Sequence, residues 1–337
     1  MPTFRGGKFW RLVNFGLAVF IALTVVSLAR QRRFREVPLA MKPIPSSPGT
    51  PARLARHVVR LAGEIGDRSY MNHAAQRAAG DYIAQQFRLA GYQPLQQAYQ
   101  ARGPQGSPQL KNIWVSRRGE GAEAPVLVLG AHYDTTYGTP GADDNASGVA
   151  ALLELARRFQ GKPGAAELRF VAFDSEEPPF FGTEQMGSWH FARQLKNEKR
   201  KVLGMIALEM LGCYRSEKGT QKYPPLLGLV YPSRGNYIGA VADWRSRRLL
   251  RTLKAGYLAP RGTPLVAAAL PRLVGVISLS DQLSFWKHGF PALMVTDTAF
   301  LRNPHYHLPG DTPATLDYET MADVVDGLEA SLDKMTR

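Results

Sequence analysis

Five side chains able to bind metal, His132, Asp144, Glu177, Glu209 and His307, are spread over most of the chain and stand where hydrophobic runs end. The apolar run at 126–129 in VLVLGAHYDTTYGTPGADDNASG delivers His132 and Asp134, with Asp144 following just ahead of a helical pattern. LRFVAFDSEEPPFFGT delivers the adjacent carboxylates Glu176 and Glu177, VLGMIALEM delivers Glu209, and NPHYHLPGDT supplies His307. Two imidazoles and three carboxylates, with an extra glutamate beside them, are the donor set of a pair of zinc ions and a general base.

Each position has a plainer explanation to weigh. His132 and Asp134 sit two residues apart, so on a strand they share a face, which suits an imidazole with a carboxylate to fix its tautomer. A lone strand histidine is more often structural, and Asp and Asn in GADDNASG are also what a helix N-terminus prefers. Of Asp143 and Asp144, one could cap while the other bridges metals. Glu176 and Glu177 are harder to explain as packing: Pro178 and Pro179 stop the strand, and two carboxylates at an apolar strand end find a task as ligand and base. Glu209 closes an apolar run, where an unpaired buried charge would be costly and a metal removes the cost. His307 is not singled out by physics alone, because His305, His190 and His288 are also available.

The elements that position these residues follow from periodicity. Apolar spacing predicts helices over 53–66, 73–90, 146–160, 183–195, 236–254 and 318–333. Strand-like runs fall at 112–116, 125–131, 167–173, 202–208, 226–231 and 291–296. Alternating strands and helices predict a largely parallel sheet covered on both faces, whose ligands bind beyond the carboxyl ends of the strands. The stretch 214–275 reads least clearly and is expected to hold a strand, a basic helix and loops.

Bulk properties exclude other classes. With 337 residues and 45% apolar content a sizeable core is available, and the single cysteine, Cys213, excludes an internal disulfide. The net charge of +14 does not indicate nucleic-acid binding, because half of the excess lies in residues 1–35 and no nucleic-acid motif accompanies the rest.

Residues 12–29 are uncharged and long enough to cross a bilayer as a helix, flanked by basic residues at both ends. The expectation is an uncleaved membrane anchor over residues 1–35, a Pro/Ser-rich tether over 36–52 and one domain over 53–337, with that domain outside the cytoplasm in the periplasm. The alternative, secretion after signal cleavage, has small residues at Ser27 and Ala29 in its favour and the basic run at 30–35 against it. Oligomeric state is left open.

From about residue 53 onward the chain resembles the co-catalytic zinc exopeptidases of the bacterial aminopeptidase and aminopeptidase Y type, relatives of glutamate carboxypeptidase and glutaminyl cyclase. The resemblance is carried by HYD at 132–134, GADDNASG at 141–148, EE at 176–177, LEM at 208–210, SD at 280–281 and YHLPGDT at 306–312, in that order. It implies a three-layer α/β/α domain with a mostly parallel mixed sheet, two zinc ions and a peptide substrate. It further implies that His132, Asp144 and Glu209 bind one zinc and that Asp144, Glu177 and His307 bind the other. Glu176 becomes the general base and Asp134 the partner of His132. His307 is preferred over His305 by its place after Tyr306 and its spacing to Asp311, and Asp143 is excluded as a ligand. The chain departs from the family by using Glu209 where Asp is usual and Gln282 where SDH is common. The stretch EEPPFF resembles a bacterial branch. Aminopeptidase is the expected activity, with a single-zinc glutaminyl cyclase or a silent receptor-type ectodomain as rivals.

Overall fold

The computed structural model describes residues 49–103, 106, 108–224 and 227–337. Helix α1 (Thr50–Val58) runs into a π-helical segment (Val59–Ile65), and α2 (His73–Leu89) follows, its first turn capped by Asn72, whose side chain accepts the Ala75 N–H. Strands β1 (Leu95–Gln100), β2 (Gln109–Arg117) and β3 (Val126–His132) precede α3 (Gly148–Phe159). Next come β4 (Glu167–Phe173), α4 (Gly187–Asn197), β5 (Val202–Glu209) and β6 (Ile238–Asp243). The chain finishes with α5 (Arg247–Gly256), β7 (Leu265–Leu270), α6 (Gln282–Lys287), β8 (Ala292–Thr296) and α7 (Tyr318–Thr336).

The strands form one sheet in the order β1-β2-β4-β3-β5-β8-β6-β7. Its centre, β4-β3-β5-β8, is parallel, whereas β2 joins β4 and β6 joins β8 in antiparallel fashion. Every residue of β3 is buried, which explains its unbroken apolar run: a strand covered on both faces has no polar side. Alternation then sorts the side chains. Leu127 and Leu129 pack with α1, α2, α3, α5 and α7 on one face, while Val126 and Val128 pack with Phe191 of α4 and Phe285 of α6 on the other. Gly130 lacks a side chain for a reason, since a Cβ there would stand 2.2 Å from the Phe173 ring.

The three-layer α/β/α domain with a mixed sheet is therefore as expected, but the membrane part of the expectation is corrected. Residues 12–29 lie outside the described residues, and among the described residues no helix is long and apolar enough to cross a membrane. The described residues therefore lend no support to an N-terminal transmembrane helix, to a membrane partner or to a membrane location.

The periodicity reading also erred around residue 236. Residues 227–229 form a 3-10 turn instead of a strand, and Ile238–Asp243, expected to be helical, forms β6. Only from Arg247 does the helix begin. Strands β1 and β7 and helix α6 were not anticipated: β1 (LQQAYQ) is a polar edge strand and β7 (LVAAAL) is rich in alanine, a weak strand former.

Candidate metal centre

Because β3, β4 and β5 run parallel side by side, their carboxyl ends put His132, the Glu176–Glu177 pair and Glu209 along one rim. Asp144 comes to the same rim on the link from β3 to α3, with non-helical backbone angles of −105° and 90°. His307 arrives from the loop between β8 and α7, where a left-handed φ of 57° turns the backbone.

All five expected donors converge. His132 Nε2 lies 3.3 Å from Asp144 Oδ1 and 3.4 Å from Glu209 Oε2, while His307 Nε2 lies 3.1 Å from Asp144 Oδ2 and 3.4 Å from Glu177 Oε1. The Asp144 carboxylate thus turns one oxygen to each trio. Donors about 2.0–2.1 Å from a tetrahedral zinc ion lie roughly 3.3–3.4 Å from one another; three of the four distances match, and His307–Asp144 at 3.1 Å is slightly shorter. His132 Nε2, Asp144 Oδ1 and Glu177 Oε1 are moreover buried without a hydrogen-bond partner. A cluster of buried polar atoms aimed at each other is costly unless a cation joins them. The donor set therefore fits zinc. His305, His190 and His288 belong to none of the metal-type clusters among the described residues.

The electrostatics agree with a site built around positive charge. Burial, reinforced by neighbouring carboxylates, raises the pKa of Glu176 and Glu177, and burial raises that of Glu209. Burial opposes charge on His132, yet Glu209 and Glu176 outweigh it and hold that imidazole well above its usual range. For His307 the same contest, with Asp144 and Glu177 as the opposing groups, ends at about 10. Burial works against the charge of Asp144, but the imidazoles of His132 and His307 facing its two oxygens outweigh it and hold the carboxylate below its usual range. Protons are thus drawn into the cluster, and metal binding to such ligands displaces them.

A surrounding set of hydrogen bonds fixes the donors. The Asp134 carboxylate accepts the N–H groups of Glu176 at 3.1 Å and Glu177 at 3.0 Å, while His132 Nδ1 lies 3.2 Å from the Asp134 carbonyl and 3.5 Å from its Oδ1. Thr136 donates to Glu177 Oε2 at 2.7 Å and Ser280 to Glu209 Oε2 at 2.6 Å. Asn145 accepts the Met210 N–H and donates to the Leu208 carbonyl, tying the end of β5 to the Asp144 segment. Asp143 turns away, accepting from Gly212 N–H and Asn303 Nδ2. Gln282 is buried and donates to the Ile277 carbonyl. Sequence reasoning assigned no role to Asn145, Thr136, Ser280 or Asp311. Three of them lie inside the motifs, but bonds to distant side chains and backbone leave no trace in spacing.

Residues 112–331 match the profile described as Peptidase family M28. The chain belongs to that family. It is 41% identical over 297 residues to YfbL of Escherichia coli (strain K12), described as uncharacterized, covering 85% of this chain and 89% of that protein. It spans 46% and 42% of the length of two curated relatives named as probable zinc metalloproteases. Among solved structures it resembles a zinc aminopeptidase from Bacillus subtilis with a TM-score of 0.66 at 16% identity, covering 86% of this chain and 96% of that one. It equally resembles the glutaminyl cyclase of Porphyromonas gingivalis, with a TM-score of 0.65 at 23% identity over 85% of this chain and 98% of that one. These two likenesses concern the fold alone. Family membership and the buried donor clusters make this M28 member a zinc-type metallo-exopeptidase.

Proposed function

We propose that the protein is a dinuclear zinc aminopeptidase, of the bacterial branch marked by the EEPPFF stretch at 176–181. In this reading His132, Asp144 and Glu209 would hold one zinc ion, and Asp144, Glu177 and His307 the other. The supporting observation is the pair of donor trios at tetrahedral-edge spacing on opposite oxygens of Asp144. Once bound, the ions would supply Lewis-acid polarisation of the scissile carbonyl and make water more acidic. Glu176 lies outside both trios, its Oε2 3.9 Å from His132 Nε2. It takes a proton from the attacking water and gives it to the amide nitrogen as the C–N bond breaks, leaving a carboxylate and an amine. Asp134 positions Glu176 and Glu177 through their backbone and steadies His132.

Substrate choice follows from an apolar cavity of about 110 Å³ that opens beside Glu209 and Tyr306 and is walled by Tyr237, Val241, Ala268 and Met294. A dry cavity of ~150 Å³ accepts benzene, and this somewhat smaller, open space suits one apolar side chain. Among the described residues Glu209 is the one charged group in its lining. With no arginine or lysine there to pair with a terminal carboxylate, a substrate presenting a free amine is favoured.

The test is a product profile from a peptide mixture, using the zinc-loaded full chain together with metal analysis. Stepwise loss of amino-terminal residues, apolar ones fastest, is the expected result. A chain that instead closes amino-terminal glutamine with loss of ammonia, or that retains no zinc, sinks the reading.

A further inference from the structure

Arg68 is fully buried beneath the metal centre, and every acceptor of its guanidinium is a backbone carbonyl. Nε donates to Tyr133 O at 2.8 Å, the two N–H groups of Nη1 are shared among Leu61 O, Gly66 O and Pro140 O at 2.9, 2.8 and 2.7 Å, and Nη2 donates to Gly141 O at 2.9 Å. Its own N–H donates to Thr135 Oγ1 at 3.0 Å. The acceptors on the 133–141 segment fall at its two ends. Tyr133 immediately follows His132, and Gly141 stands three residues before Asp144. A single planar fork therefore sets the separation of the strand end that carries one imidazole and the turn that carries the shared carboxylate. Only a guanidinium reaches so many carbonyls from one rigid plane.

Charge adds a second argument. A cation buried among neutral acceptors is expensive, and burial lowers the Arg68 pKa to about 10 against the pull of Asp67 and, more strongly, of the carboxylates of Asp311, Asp134 and Asp144. Those same carboxylates hold or surround the proposed metal donors. Packing is tight here: a Cβ at Gly141 would meet the Asp144 carbonyl at 2.3 Å and Arg68 Nη2 at 2.9 Å.

We propose that Arg68 is a positioning residue for the metal centre, clamping both ends of the 133–141 segment so that His132 and Asp144 are held at the spacing of one zinc ion. It acts on metal affinity through these residues without touching metal or substrate. The inference rests on the dinuclear zinc reading above.

The test compares wild type, Arg68→Lys and Arg68→Met by zinc titration against a chromophoric chelator, with melting temperatures measured without and with zinc. Wild type is expected to take up two zinc ions, and its failure to do so would count against the parent reading. Given wild-type uptake, Arg68→Lys, which keeps the charge but loses the fork, should bind zinc about 10- to 100-fold more weakly, the effect usual for residues supporting metal ligands. Arg68→Met should bind more weakly still. Zinc should also raise the melting temperature of the variants less than that of wild type. Variants that lose stability without zinc yet bind it as tightly as wild type overturn the proposal. So do variants that stay unfolded with and without zinc, since Arg68 would then serve the fold alone.

Discussion

Asp311 holds Asp144 by its backbone: one carboxylate oxygen of Asp311 accepts the Asp144 N–H at 3.1 Å, and the other accepts the neighbouring Asp143 N–H at 2.9 Å. Asp134 does the same for Glu176 and Glu177. Each carboxylate spans two consecutive amides and so fixes both the position and the twist of a peptide that carries a donor. Both carboxylates are buried, so the amides they hold have no water to turn to if these bonds are lost.

Asp311→Asn should therefore weaken the centre with no ligand removed. The amide offers one oxygen to two N–H donors and sets its own NH2 against the second, at a cost of about 1–3 kcal/mol for a buried donor left unpaired. Zinc affinity should fall about 10- to 100-fold. Equal affinity and an unchanged melting temperature in the variant would show that the two bonds are dispensable.

Glu176→Gln keeps the size and burial of the side chain and removes its capacity to take a proton. Turnover should drop by roughly 10²–10⁴-fold or more while zinc content stays near that of wild type. Metal analysis and hydrolysis rates on the same preparation decide the matter. If activity persists, another group is the base, and if zinc is lost as well, Glu176 is a ligand.

Much of this centre was legible because the parallel sheet converts sequence order into spatial order. His132, Glu177 and Glu209 each end a run that only a doubly covered strand explains, and such strands finish along one rim. His307 was not legible in that way. It sits in a loop, and only family spacing separated it from His305. Its orientation depends on a left-handed backbone that no local pattern announced. The bonds from Asp311 to residues 143 and 144 cross more than 160 positions and follow from tertiary packing alone. Strands β6 and β7 were obscured by their small residues, several of which line the apolar cavity, where room for a ligand replaces bulk. The arginines after residue 244 then lent the segment a helical period that begins in the structure only at Arg247.

Filling the cavity tests whether it selects substrate. Ala268 lines it from β7 and is remote in role from the metal donors. Ala268→Phe should lower kcat/KM for peptides with amino-terminal leucine or phenylalanine by about 10- to 200-fold relative to alanine, the range over which apolar pockets discriminate. Zinc content should not change. An unaltered leucine-to-alanine ratio would place the side chain of the substrate elsewhere.

Acid stability offers a check away from the metal centre. His57 on α1 is buried, with Nδ1 2.7 Å from the Tyr82 hydroxyl of α2. Its burial, then the charge of Arg56 and Arg53, lowers its pKa from 6.5 to about 4, while Glu154 of α3 pulls the other way. Between those values the unfolded chain binds the proton and the folded chain does not. The stability is therefore complete above pH 6.5 and is lost as pH falls towards 4. The shift corresponds to about 3 kcal/mol. His57→Gln retains a polar group for Tyr82 and has nothing to titrate, so its melting temperature should fall less than that of wild type between neutral pH and pH 4. The comparison cancels the carboxylates common to both chains, including Glu154, which its arginine partners hold in the charged form against the effect of burial. Parallel curves for the two proteins would mean that the imidazole takes up its proton in the folded state without penalty, and the buried environment assigned to it would be wrong.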